Sequence, residues 1–201
     1  MRPASEIAAK DPRTIVLYVR SFQDDRGIKL YARATDGRIL LERLVKISFE
    51  ELVTDHLWSY GPVLAIGDPR AKKKATLGAA RDYATDASWQ EKATDLMHRA
   101  SIIVMIAGAT SGLVWEIETI LRLGFRSKIM LLFPPIAIED LERRWQFLVS
   151  NIFLDLPLEI DLLRTRALVF PKGKVCLITG DLRNDWTYEA ALDEAALMIV
   201  S

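Results

Sequence analysis

The chain has 201 residues, half of them apolar, with 27 basic residues against 27 acidic ones and a single cysteine. That length and apolar content suffice for one compact domain with a substantial core, and the balanced charge argues against a broad nucleic-acid footprint or an acidic tail. Cys176 has no partner for an internal disulfide, and His56 and His98 offer no zinc-like spacing, so a reducing cytoplasm and no metal site are expected.

The elements follow in chain order. "TIVLYV" (14 to 19) is a short run of mostly β-branched or aliphatic residues, the mark of a strand buried on both faces. A long segment, 23 to 48, follows it. "FEELVTDHLWSYG" (49 to 61) repeats its apolar residues at helical spacing and stops on a glycine. "PVLAIG" (62 to 67) is a second strand, followed by a long loop over 67 to 87. In "SWQEKATDLMHRA" (88 to 100), Ser88 and Glu91 form a capping box ahead of an apolar stripe. "SIIVMIAG" (101 to 108) and "KIMLLF" (128 to 133) are further strands. Between them lies "GATSGLVWEIETIL" (108 to 121), read as a helix. The rest comprises a helix over 138 to 154, strand-like "RALVF" and "KVCLIT" (166 to 179), and a closing helix over 185 to 200 with Asp185 as its cap.

Strands alternating with helices predict a doubly wound, mainly parallel α/β sheet with helices on both faces. One domain is expected over 1 to 201, its core within 14 to 135, with 136 to 201 completing the sheet or forming an assembly surface. "MRPASEIAAKDPR" lacks the apolar centre of a signal peptide. The longest apolar window, 102 to 115, is interrupted by Gly108, Ser111 and Gly112, so no membrane segment is expected.

In such sheets ligands bind beyond the carboxyl ends of the strands, where the strand order reverses. Three segments converge there: "RSFQDD" (20 to 25), the loop from Gly67, and "GATSGLVWE" (108 to 116). With Leu113, Ile117, Ile120 and Leu121 on one helical face, Glu116 falls at its border and Glu118 points further out. The plainest role for Glu116 is to complement the helix dipole, worth roughly 0.3 to 1 kcal/mol. Trp115 is either a packing residue or a platform for a ligand ring. Lys72, Lys73 and Lys74 lack the ending of a P-loop and read as a solvated run. His56 and His98 lie within helical patterns away from the strand ends, and Cys176 within an apolar strand, so all three are expected to be structural.

"VLYVRSF" leading into an acidic pair, "GPVLAIGDP" leading into a long loop, "SWQEKATDLMHRASIIVMIAG" and "TSGLVWEIE" together resemble the bacterial Toll/interleukin-1 receptor (TIR)-like domains over roughly 14 to 135. The resemblance implies a flavodoxin-like fold. It also implies cleavage of the nicotinamide–ribose bond of NAD by one glutamate at the start of the third helix, a role that maps onto Glu116. Arg20, Ser21 and Phe22 match the family segment lining the nicotinamide and ribose pocket, and Asp25 and Trp115 join them as substrate-binding candidates. Phe22 is suited to stack on a ring and Arg20 to meet a phosphate. The family loop matching 67 to 87 covers the site and takes part in assembly, which makes Arg81 and Tyr83 gate candidates. It further implies NAD or a related nucleotide as substrate without a cofactor, a homo-oligomer or partner domain, and a setting in antiphage defence.

Rupture of an N-glycosidic bond develops positive charge on the ribose, which an anionic carboxylate beside the ring stabilises. Nicotinamide is already cationic in NAD and leaves as a neutral molecule, so the reaction needs no metal. Many family members separate the tryptophan from the glutamate by several residues. Here Trp115 and Glu116 adjoin, which keeps Glu118 as a second candidate. "GLVWEI" also resembles the glutamate-bearing turn of nucleoside deoxyribosyltransferases, which break the same kind of bond. A catalytically silent nucleotide-sensing or interaction module is the alternative from outside enzymology.

Overall fold

Runs that are apolar at every position can satisfy themselves only in the interior of a sheet covered on both sides. The computed structural model, which describes residues 11–19, 28–34, 43–67, 80–83, 89–153 and 155–201, shows this arrangement. β1 (Ile15–Val19) and β6 (Ala100–Ile106) lie side by side and parallel, with Leu17 beside Ile103. β4 (Val63–Gly67) and β5 (Ala80–Tyr83) continue the sheet on the far side of β1, and β7 (Ile129–Leu132) on the far side of β6, all parallel. β8 (Thr165–Val169) and β9 (Cys176–Thr179) then add in antiparallel fashion, giving a seven-stranded sheet in the order β5-β4-β1-β6-β7-β8-β9.

Alternate strand residues feed two cores. Ile15, Leu17, Val19, Ile103 and Met105 pack beneath α2 (Trp89–Arg99), α3 (Ser111–Arg122) and α4 (Ile138–Asn151), through Met97, Ile117 and Trp145 among others. Val16, Tyr18, Ile102, Val104 and Ile106 pack beneath α1 (Phe49–Leu57) and α5 (Asp185–Val200), through Phe49, Leu57, Tyr188 and Leu192. The expected mainly parallel sheet with helices on both faces is therefore present.

Several expectations need correction. The 23 to 48 segment is not simply a loop: β2 (Lys29–Ala34) and β3 (Arg43–Ser48) pair antiparallel as a separate two-stranded sheet. The presumed loop of 67 to 87 holds β5, in which Ala65 is beside Arg81 and Gly67 beside Tyr83. Asp185 is not the cap of α5. Asn184 is, its side chain accepting from Thr187 N at 3.1 Å, while Asp185 is buried in the first turn. Ser88, half of the expected capping box, and Lys72 to Lys74 fall outside the described residues.

Two arginines fasten the antiparallel addition. The guanidinium of Arg166, fully buried in β8, donates to the carbonyls of Leu163, Thr165, Gly180 and Leu182 at 2.6–3.0 Å. Arg183 donates to the carbonyls of Ile136 and Leu162. Tyr188 Oη donates to Phe133 O at 2.8 Å, tying α5 to the carboxyl end of β7, and burial pushes its phenol up to about 12, so it remains a donor at neutral pH. Among the described residues no helix is long and apolar enough to cross a membrane.

The turn into β4 depends on Gly61. Its φ is +153°, and a Cβ there would fall 2.0 Å from Thr14 O, a backbone atom at the start of the central strand. Gly61→Ala is therefore expected to destabilise the fold by about 1–3 kcal/mol or more, read as a lower urea midpoint with an unchanged slope.

Candidate active site

The chain places β4 and β5 on one side of β1 and β6 and β7 on the other. The connection from β1 passes through α1 on one face, whereas β6 passes into α3 on the other. The carboxyl ends of β1 and β6 consequently form the switch point, the place where sheets of this kind bind ligands.

α3 starts at that edge. Thr110 caps it, its hydroxyl accepting from Leu113 N at 3.4 Å, and the first turn contains no acidic residue. Glu116 stands in the second turn, beyond the range over which a helix dipole is effective, so the dipole-complement role loses its geometric basis. Leu113, Ile117 and Ile120 are buried, Glu118 is exposed, and Glu116 is half-buried at the border of the stripe. Thr119 is buried as well, and Leu121 only half so. Because Cα–Cβ bonds in a helix lean toward its N-terminus, the Glu116 side chain leans back toward the carboxyl edge of the sheet.

The residue keeps some solvent contact, yet its carboxyl is closely enough surrounded that burial pushes it up to about 8. Desolvation is the cause, and among the described residues no cation opposes it. The protonated carboxylic acid is thus favoured here to a pH well above that at which an exposed glutamate ionises. Beside it, Trp115 meets Trp89, the first residue of α2, edge to face with ring centroids 4.6 Å apart. Both rings are half-buried and join α2 to α3 at the carboxyl edge.

Arg144, which sequence reasoning missed, also reaches this edge: its Nη1 donates to Ala107 O, immediately after β6, at 2.9 Å. Arg20, Ser21, Phe22 and Asp25 lie outside the described residues. Arg81 and Tyr83 belong to the edge strand β5 rather than to a covering loop. The two histidines are at the opposite end. His56, in the last turn of α1, pairs with Asp193 of α5 at 2.9 Å, and His98, in the last turn of α2, meets Phe125 edge to face. Among the described residues no three His, Cys, Asp or Glu side chains cluster as metal ligands would.

The chain matches no protein-family model, no curated protein and no solved structure. The case for a function accordingly rests on the geometry of this edge.

An acid whose folded value exceeds its ordinary 4.5 opposes folding once the unfolded chain ionises. Below about 4.5 both states hold the proton and nothing is lost; stability then falls with rising pH and levels off above about 8. Glu116→Gln removes this penalty. The variant should match wild type near pH 4 and exceed it progressively up to pH 8–9, by as much as a few kcal/mol. Parallel urea midpoints for the two proteins across that range would contradict the burial of this carboxyl.

Proposed function

We propose that the chain is a TIR-like NAD hydrolase, of flavodoxin-like fold, in which Glu116 promotes cleavage of the nicotinamide–ribose bond. The observation that carries this reading is the desolvated carboxyl of Glu116 at the switch point of the parallel sheet. Supporting it are the half-buried aromatic pair Trp115 and Trp89 at the same edge and the sequence resemblance over 14 to 135.

In this reading the arriving nicotinamide ring brings a positive charge into a poorly hydrated place. Coulomb attraction in such a setting favours the ionised carboxyl, so Glu116 gives up its proton as the substrate enters. The resulting carboxylate stabilises the cationic ribose as the C–N bond breaks, with the bonding pair departing on the nicotinamide nitrogen. Water then adds to the anomeric carbon and loses a proton, giving ADP-ribose; attack by an internal nucleophile gives a cyclic product instead. β8 runs antiparallel, in contrast to the all-parallel flavodoxin order, but it lies two strands from the switch point and leaves the order of β1 and β6 unaltered. Arg20, Ser21, Phe22 and Asp25 remain the substrate-binding residues of this reading, and assembly through 67 to 87 its mode of activation.

The raised value of Glu116 also favours a second reading, a nucleoside or nucleotide N-glycosidase or transferase. A neutral nucleobase leaves more readily when protonated, and an acid of this strength is suited to donate that proton.

Nicotinamide release from NAD by concentrated protein, with wild type beside Glu116→Ala and Glu118→Ala, tests the first reading. Loss on the order of 100-fold or more is expected for Glu116→Ala alone, with both variants folded by circular dichroism. No release by wild type, even with assembly forced, would overturn it. The pH profile separates the two enzymes, since kcat/KM reports the free protein. A carboxylate requirement makes kcat/KM for NAD rise with pH and level off above about 8, whereas a general acid makes turnover of a neutral nucleoside fall above about 8.

A further inference from the structure

β6 and β7 run parallel with Ile106 beside Leu132, and the ladder continues one bond further, Ala107 N donating to Leu132 O at 2.9 Å. In a parallel ladder the carbonyl of Ala107 should next accept from the amide of residue 134. Residue 134 is a proline and has no amide hydrogen. Ala107 is fully buried, so its carbonyl has to find another donor. The donor it finds is the guanidinium of Arg144, at 2.9 Å.

The reach of that side chain is built into α4. Leu141, Trp145 and Leu148 are buried along one face, and Trp145 sits against Phe133 with ring centroids 5.5 Å apart, holding the helix over the end of β7. Arg144, half-buried, lies three residues after Leu141 and four before Leu148, on the flank of that face. Only three residues separate the carbonyl it holds, Ala107, from Ser111, the first residue of α3.

We propose that Arg144 is a positioning residue for Glu116, replacing the amide that Pro134 lacks and so fixing the corner from which α3 departs. Arg144 acts through the backbone carbonyl of Ala107, and among the described residues no cation contributes to the raised value of Glu116. This rests on Glu116 being the reacting carboxyl, but its test needs no turnover.

The test follows the titration of the Glu116 side-chain carboxyl by carbon NMR in the intact, substrate-free protein, the signal assigned with Glu116→Gln. Loosening the corner admits water, so Arg144→Ala should lower the Glu116 midpoint toward 4.5, by one unit or more. A purely electrostatic role has the opposite sign, since removing a cation raises a carboxyl. Adding Pro134→Ala restores a backbone donor, and the double variant Pro134→Ala/Arg144→Ala should return the midpoint to that of wild type. In nicotinamide release Arg144→Ala should lower kcat on the order of 10- to 100-fold with a smaller change in KM, and the double variant should recover it.

An unchanged or raised midpoint in Arg144→Ala, or no recovery in the double variant, overturns the proposal. Should Arg144→Ala fail to fold, the double variant decides: a folded protein with the wild-type midpoint supports the proposal, and a second failure to fold overturns it. Absence of nicotinamide release in wild type would instead remove the hydrolase reading and leave the titration result standing.

Discussion

Two-sided burial of β1 and β6 is the constraint from which the rest of the molecule follows. Every residue of β1 and nearly every residue of β6 is buried, so neither face of the central sheet can meet water. Helices must cover both sides, and a chain that covers both sides has to send its connections in opposite directions from the middle. The switch point at the carboxyl ends of β1 and β6 is a by-product of that requirement. It lies at the ends of the two central, buried strands, and regular elements hold a reacting group more closely than loops do.

Glu116 is a cost that this architecture tolerates. A glutamine or an alanine at the border of α3 would avoid desolvating a carboxyl, and the dipole of α3 offers little return, because Glu116 lies past the first turn. Among the described residues no cation offsets that desolvation either. A group that opposes folding without a structural compensation is a candidate for function. The Trp89–Trp115 contact and the Arg144–Ala107 bond hold the two sides of the α3 departure, one through packing and one through a hydrogen bond.

Much of this was legible in the sequence wherever burial was uniform. The runs at 14 to 19, 62 to 67, 101 to 108 and 128 to 133 all became parallel strands, because continuous apolar character has only one satisfactory setting. The β2–β3 hairpin was not legible: "KLYARA" and "RLVKIS" mix charged and apolar residues and lie outside the main sheet. β5, "ARDY", is a short edge strand held by backbone pairing to β4, which leaves little side-chain pattern to read. At the site, Glu116 could be found from helical spacing, but its desolvation could not, since that depends on what α3 is packed against. Arg144 left one usable signal, the proline two positions beyond β7. A missing amide there obliges some other donor to approach Ala107, and only the fold reveals that α4 supplies it.

The central claim is that a buried neutral carboxyl ionises when a cationic ring arrives beside it. Calorimetric binding of a non-cleavable carbocyclic NAD analogue at pH 7, repeated in buffers of differing ionisation enthalpy, counts the protons exchanged. The account expects wild type to release close to one proton per analogue bound and Glu116→Gln to release none. Binding without proton release in wild type, or the same release in both proteins, would contradict it.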